Sequence, residues 1–302
     1  MRLRGTWFVV PTPFREDGSL DEESQRRLLD AAITWGVDGL TVLGVTSEAA
    51  ELTEEERDRV LRTVAEEVGD RVPVVVGCSA PDPDRIVARA TAAADAGAAA
   101  AMVSAPPGFS DPEGLPGIYG AVLDRGGLPI VVQDEPAATG VRMDLEILLR
   151  CLDAAGSATV KLEDPPTPPK IGRLLSARPG LDVFGGLGGV MALSELRRGA
   201  CGTMTGFAFP EILSAVRRGT EAGEHEAAAR IFDRYLPLIQ FEAQPLIGLG
   251  IRKEILRRRG VIATAVTRRP ADVEAGTLAD LDDVLRRAGI VPGPEPLSAE
   301  PG

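Results

Sequence analysis

The chain has few of the residues that carry out the commonest kinds of catalysis. Its 302 residues include one histidine, and lysine accounts for only three of the 33 Lys and Arg residues. His225 lies in a polar, helix-forming stretch, where a solvated surface position is expected. A Ser-His-Asp or Cys-His nucleophile system is therefore excluded unless His225 itself is the base. A metal site built from several histidines is excluded as well.

Other absences narrow the class of partner. The net charge is -12 and aromatic residues make up 4% of the chain and are dispersed, which argues against a nucleic-acid surface. No apolar run reaches the roughly 20 residues needed to cross a bilayer. The N-terminus lacks the apolar segment of a signal peptide. We therefore expect a cytoplasmic protein with neither a nucleic-acid nor a membrane partner.

Cofactor signatures are also missing. No Gly-Lys-Ser or Gly-Lys-Thr occurs, so there is no P-loop, and the glycines of residues 185–189 do not match the GxGxxG dinucleotide fingerprint. The three cysteines, Cys78, Cys151 and Cys201, are widely spaced in apolar surroundings, which favours buried thiols over disulfides or a metal cluster. The sequence predicts no cofactor and no metal.

What the chain does contain is a regular alternation of short β-branched or apolar runs with segments of helical periodicity. We predict eight strands: 6–10, 39–43, 72–77, 100–104, 129–133, 159–162, 182–184 and 202–205. Predicted helices cover 24–35, 53–68, 84–96, 116–125, 144–154 and 170–177, and then 211–218, 224–240, 245–258 and 278–287. This pattern predicts an α/β fold, a (β/α)8 TIM barrel over 1–220 with a C-terminal helical extension over 221–290 and a flexible tail over 291–302. A doubly wound open sheet is the alternative.

The active site of such a barrel lies at the C-terminal ends of its strands. Lys161 ends the sixth predicted strand, and a lysine amine can attack a carbonyl whereas an arginine cannot. The segment Gly44-Val-Thr-Ser-Glu48 ends the second strand, where its N–H groups and hydroxyls can hold a carboxylate or phosphate. An amine together with a carboxylate holder predicts a small-molecule 2-oxo acid bound as a Schiff base.

These residues resemble those of the dihydrodipicolinate synthase and N-acetylneuraminate lyase family, the pyruvate-type class I aldolases. The matching segments are Pro11-Thr-Pro-Phe14, Gly44 to Glu48, Pro136, Thr139-Gly140, Val160-Lys161, Gly185-Gly186 and Gly199-Ala-Cys-Gly202. The resemblance implies a barrel with C-terminal helices, a homo-oligomer that is usually a tetramer, and Lys161 as the Schiff-base lysine. It also implies that Val45, Thr46 and Ser47 hold the substrate carboxylate, while Gly185 and Met204 shape the pocket.

The departures from the family pattern matter as much. Gln133 stands where the family has the tyrosine that moves protons at the reacting oxygen, and residues 105–108 lack the second relay tyrosine. Glu135 and Asp134 are the nearest titratable replacements, and Gln133 can orient a water or bind a substrate hydroxyl. Ala138 occupies the place of the arginine that dihydrodipicolinate synthases use for their second substrate, so that particular synthesis is not expected.

Three functions remain open. The first, which we favour, is a Schiff-base lyase, an aldolase or dehydratase acting on a 2-oxo-3-deoxy acid, with Lys161, Gln133 and Glu135 as its catalytic residues. The second is a noncatalytic barrel that binds an oxo acid, and the third is a phosphate-sugar enzyme using the glycines of 185–189. Structural roles are expected for Ser47 and Glu48 in their loop, solvated positions for Glu163 and Asp164, and surface positions for Lys170 and Lys253.

Overall fold

The computed structural model describes residues 2–299. Within them, eight parallel strands form a closed barrel in chain order, with β1 pairing both β2 and β8. The strands are β1 Gly5–Val9, β2 Gly39–Val42, β3 Val74–Gly77, β4 Ala100–Ser104, β5 Ile130–Asp134, β6 Thr159–Leu162, β7 Asp182–Gly185 and β8 Gly202–Thr205. The predicted TIM barrel is confirmed, and each predicted strand is present within two residues at either end.

Helices follow the strands and cover the outside of the barrel. They are α1 Glu22–Thr34, α2 Glu54–Val68, α3 Pro83–Asp95, α4 Leu115–Gly126, α5 Pro136–Thr139, α6 Leu145–Ala154, α7 Thr167–Ala177, α8 Ala192–Arg197, α9 Pro210–Glu221, α10 His225–Glu242, α11 Gly248–Arg258 and α12 Ala275–Ala288. Capping residues set several starts: the Thr53 side chain accepts from the N–H of Glu56, whose carboxylate accepts from the N–H of Thr53. The short α5 and α8 were not predicted.

Strand alternation divides the apolar core into two parts. Side chains such as Trp7, Phe184 and Met204 fill the barrel interior, whereas Phe8 and Val132 point outward and pack beneath the helices. Because the interior is filled, the barrel is a packed core that holds the strand ends rigidly. None of the helices in the described range is long and apolar enough to span a membrane.

Two hydrogen bonds join the end of the described chain to the rest of the protein. The Pro294 carbonyl accepts a 2.8 Å bond from Trp35 Nε1, and the N–H of Leu297 donates to Glu211 Oε1 at 2.9 Å. Pro294 and Leu297 of the predicted tail therefore contact the helices, and the flexibility of the tail stays a prediction. Residues 300–302 of that predicted tail lie outside the described residues.

Candidate active site

Lys161 and Gln133 lie side by side inside the barrel. They are register partners on β6 and β5, and parallel partners point to the same face of a sheet. Phe184 of β7 is the register partner of Lys161 on its other side. The Lys161 side chain is 7% exposed, so the amine is nearly enclosed at the strand end. The predicted nucleophile and the residue that replaces the family's tyrosine are therefore neighbours.

Glu163 joins these two side chains. Its Oε2 lies 3.0 Å from Lys161 Nζ and accepts a 2.8 Å hydrogen bond from Gln133 Nε2. Its Oε1 accepts a longer bond, 3.4 Å, from the N–H of Leu187. The expectation that Glu163 is solvated is wrong, because its side chain is 11% exposed. The signal was available in the sequence, since a residue two places after Lys161 along an extended chain points to the same side.

The two glycines after β7 have different neighbours. A Cβ on Gly186 would lie 2.3 Å from Glu163 Cγ, so the absence of a side chain there makes room for the Glu163 carboxylate. A Cβ on Gly185 would instead lie 1.8 Å from Glu195 Oε2, on the outer side of the strand. Gly185 therefore makes room for a carboxylate behind the barrel, and Gly186 is the glycine that faces the site.

The loop after β2 presents one unsatisfied hydroxyl. Thr46 Oγ1 is buried and has no hydrogen-bond partner within residues 2–299, as expected of a group that awaits a ligand. Ser47 differs, because its Oγ donates to the Val10 carbonyl at 2.6 Å and accepts from the N–H of Gly44 at 3.2 Å. The N–H of Ser47 is also used, by the Gly44 carbonyl. Ser47 thus holds the loop in shape, while the Val45 side chain is 36% exposed at the mouth.

A buried ion pair fixes this loop to the C-terminal helices. Glu48 adopts a left-handed backbone conformation with φ of 55°, which is uncommon for a residue with a side chain. Its Oε2 lies 2.5 Å from Lys253 Nζ on α11, and its Oε1 accepts from the N–H groups of Arg268 and Arg269 at 2.6 and 2.9 Å. Burial lowers the pKa of Lys253 to about 8, against the opposing effect of Glu48. The surface position expected for Lys253 is wrong.

The two acidic residues that follow Gln133 separate. Asp134 points outward, where its Oδ2 lies 2.5 Å from Lys170 Nζ, and Lys170 also binds Asp164 Oδ2 at 2.9 Å. Burial raises the pKa of Asp134 to about 6, although Lys170 opposes the shift. Asp134 therefore does not face Lys161 and Gln133. Lys170 and Asp164 are buried rather than exposed, contrary to expectation.

Glu135 stays at the barrel mouth. It follows Gln133 by two residues along the extended chain, so it points to the same side, and the charges of Glu163 and Lys161 act on its pKa. Met204, by contrast, is fully buried and pairs with Trp7 in register, so it belongs to the packed interior cluster. The structure therefore brings together Lys161, Gln133 and Glu163, with Glu135 nearby and Thr46 on the loop after β2.

Comparisons with known proteins identify relatives along nearly the whole chain. The model of the dihydrodipicolinate synthetase family matches residues 2–286. The L-2-keto-3-deoxyarabonate dehydratase of Azospirillum brasilense is 35% identical over 296 residues, covering 95% of this chain and 94% of that protein. The 4-hydroxy-tetrahydrodipicolinate synthase of Acidobacterium capsulatum is 30% identical over 299 residues, covering 96% and 97%.

Solved structures show the same likeness. The crystal structure of dihydrodipicolinate synthase from Rhodopseudomonas palustris superposes with a TM-score of 0.88 at 33% identity, covering 94% of this chain and 97% of that one. The barrel, the C-terminal helices and the strand-end lysine thus occur together with sequence similarity along nearly the whole chain. The chain belongs to the dihydrodipicolinate synthetase family.

Proposed function

We propose that the protein is a Schiff-base-forming lyase that removes water from a 2-oxo-3-deoxy acid. The observation that carries this proposal is the position of Glu163, whose Oε2 lies 3.0 Å from Lys161 Nζ and 2.8 Å from Gln133 Nε2. A titratable carboxylate thus lies beside the imine-forming amine, next to the residue that replaces the family's tyrosine. The dehydratase from Azospirillum brasilense, 35% identical over nearly the whole chain, gives further support.

The first half of the reaction uses Lys161. Its Nζ attacks C2 of the oxo acid, and the resulting carbinolamine loses the C2 oxygen as water to give a protonated imine. The substrate carboxylate binds the loop after β2, where Thr46 Oγ1 has no partner within the described residues. The imine withdraws electrons from C3, so the C3 hydrogens become acidic.

Glu163 carries the proton in the second half. Its Oε2 takes a proton from C3, which is separated from Nζ by C2 alone, and leaves an enamine. The enamine electrons expel the C4 hydroxyl group, which takes that proton back from Glu163 and departs as water. Hydrolysis of the unsaturated imine frees Lys161, so the net change is the loss of one water from the substrate. Gln133 does not titrate during this reaction. Its amide N–H orients Glu163.

Two measurements test this function. Intact-mass spectrometry after borohydride reduction with pyruvate is expected to give an adduct that is absent in Lys161→Ala. A panel of 2-oxo-3-deoxy acids is expected to lose the mass of one water without releasing pyruvate in a lactate dehydrogenase-coupled assay. Pyruvate release would show an aldolase instead. An adduct with a silent panel would show the noncatalytic binding protein, and no adduct with any 2-oxo acid would refute the role of Lys161.

The role of Glu163 has its own test. Glu163→Gln is expected to keep the pyruvate adduct but to lower kcat by about 10²- to 10⁴-fold, the usual effect of losing a positioned acid or base. Glu226→Gln is the matched control, because that side chain is 96% exposed on α10. Equal kcat values for Glu163→Gln and the wild type would contradict the mechanism.

We also propose that the protein is a homotetramer, as the family resemblance implies, and that it is cytoplasmic. Light scattering at micromolar concentration tests the assembly, and a monomer mass would contradict it.

A further inference from the structure

Glu135 is a site residue for which the mechanism above has no use. It follows β5 directly, two residues after Gln133, and its side chain is mostly enclosed. Its Oε2 is buried and has no hydrogen-bond partner within the described residues. Buried polar atoms nearly always have a partner, so an unpaired carboxyl oxygen at a barrel mouth calls for a ligand group.

Three charged groups act on Glu135. Burial has the largest effect on its pKa and raises it, and the Glu163 carboxylate raises it further. Lys161 on β6 and Arg269, from the segment between α11 and α12, lower it, and the resulting pKa is about 7. Around neutral pH a substantial part of Glu135 is therefore uncharged, and an uncharged carboxyl group can donate as well as accept a hydrogen bond.

We propose that Glu135 determines substrate specificity by hydrogen bonding a hydroxyl group on the distal chain of the bound 2-oxo acid. This inference rests on the proposed function, because it takes the C2 imine to form on Lys161. The carboxylate end of the acid binds near Thr46. The distal chain then lies towards Glu135, whose Oε2 is the other unpaired oxygen at the site among the described residues.

The charges favour an uncharged distal group. A second carboxylate or a phosphate close to Glu135 and Glu163 would be repelled by both. Arg269, the nearby cation, already donates from Nη2 to the Val45 carbonyl at 2.9 Å. A hydroxyl group suits Glu135 in both of its protonation states, since it accepts from the acid form and donates to the carboxylate. The predicted substrate class is a 2-oxo-3-deoxy acid that ends in a hydroxylated, uncharged chain.

The test compares two acids that share the leaving hydroxyl at C4. One is a 2-oxo-3-deoxypentonic acid, and the other is 4-hydroxy-2-oxopentanoic acid, which has a methyl group in place of the terminal hydroxymethyl. Glu135→Ala is expected to lower kcat/KM for the pentonic acid about 10- to 100-fold, as for a lost hydrogen bond that leaves a buried group unpaired. It is expected to change kcat/KM for the methyl-ended acid by less than about threefold.

Glu135→Gln supplies the second readout. Its amide keeps both a donor and an acceptor, so kcat/KM for the pentonic acid is expected to stay within about threefold of the wild type, whereas Glu135→Ala loses both groups. The ratio of kcat/KM for the two acids does not depend on the amount of folded protein, so it separates a change in specificity from a loss of folding.

The possible failures are distinguishable. If the pyruvate adduct on Lys161 forms but Glu135→Ala changes both acids equally, or neither, the inference about Glu135 is overturned and the proposed function stands. A better kcat/KM for an acid with a terminal carboxylate or phosphate would also overturn it. If no adduct forms in the wild type, the proposed function fails first.

Discussion

Replacing Lys253 should destabilise the protein strongly, even though the residue belongs to a C-terminal helix. The side chains of Lys253 and Glu48 are both 0% exposed, and Nζ lies 2.5 Å from Glu48 Oε2 and 2.8 Å from the Val266 carbonyl. The ammonium also lies 4.4 Å from the centre of the Phe14 ring. Lys253→Met retains most of the side-chain volume but leaves the Glu48 carboxylate buried without its cation.

The size of the effect follows from that burial. Breaking a buried ion pair by removing one partner costs about 3–5 kcal/mol, because the remaining charge is uncompensated. The total free energy of unfolding of a domain is only about 5–15 kcal/mol. Glu48 keeps the N–H groups of Arg268 and Arg269, which places the expected loss towards the lower end of the range. Urea unfolding followed by circular dichroism measures this difference.

A double-mutant cycle separates the pair from its surroundings. Glu48→Gln with Lys253→Met should be less destabilised than the sum of the two single variants, because neither charge is then left alone. Arg286→Met is the matched control, since Arg286 is 73% exposed and its pair with Asp283 contributes at most about 1 kcal/mol. A loss of less than about 1 kcal/mol in Lys253→Met would refute the reasoning.

Three further predictions concern carboxylates around the barrel. Gly186→Ala should lower kcat at least about tenfold while keeping the pyruvate adduct. The added Cβ would lie 2.3 Å from Glu163 Cγ and displace the Glu163 carboxylate. Steady-state kinetics and intact-mass spectrometry check this. The wild type is expected to lose stability as pH rises from about 4.5 to 7, and Glu195→Gln is expected to abolish this pH dependence. Burial raises the pKa of Glu195 from 4.5 to about 7, so only the folded state still holds the proton in that window, and the difference should reach the order of 3 kcal/mol above pH 7 in urea unfolding. Lys170→Met should cost about 3–5 kcal/mol in the same assay, because it leaves Asp134 buried and unpaired, and an unchanged unfolding midpoint would contradict this.

Local patterns in the sequence were sufficient for the barrel. Each strand is a short run of apolar or β-branched residues, and the helices between them show the periodicity of one buried face. The strand ends also predicted that Lys161 and Gln133 lie together, and the two are register partners. The helices that were missed, α5 with four residues and α8 with six, are too short to show a helical period.

Partners distant in the chain were not predictable. Lys170 and Lys253 lie in helical segments of a kind that usually faces water, yet both are buried against carboxylates 36 and 205 residues away. A charged lysine is buried only where a carboxylate lies beside it. A local sequence pattern does not show which distant residues become neighbours in the fold. Glu163 is a different case, because alternation from Lys161 already pointed its side chain to the inner face.

The surroundings of the three lysines support the proposal that Lys161 is the nucleophile. All three are buried beside a carboxylate, so burial and charge alone do not distinguish them. Lys170 donates to two carboxylates and the Met143 carbonyl, which uses the three N–H bonds of an ammonium group. Lys253 donates to Glu48 and the Val266 carbonyl and lies against the Phe14 ring.

Lys161 has a single polar partner, Glu163, within the part of the chain that the structure describes. An amine must expose its lone pair to the substrate before it attacks a carbonyl, and a nitrogen enclosed by acceptors or an aromatic ring has no open side for a substrate. The arrangement of acceptors around each lysine, more than the rarity of lysine in the sequence, therefore supports the proposed role of Lys161.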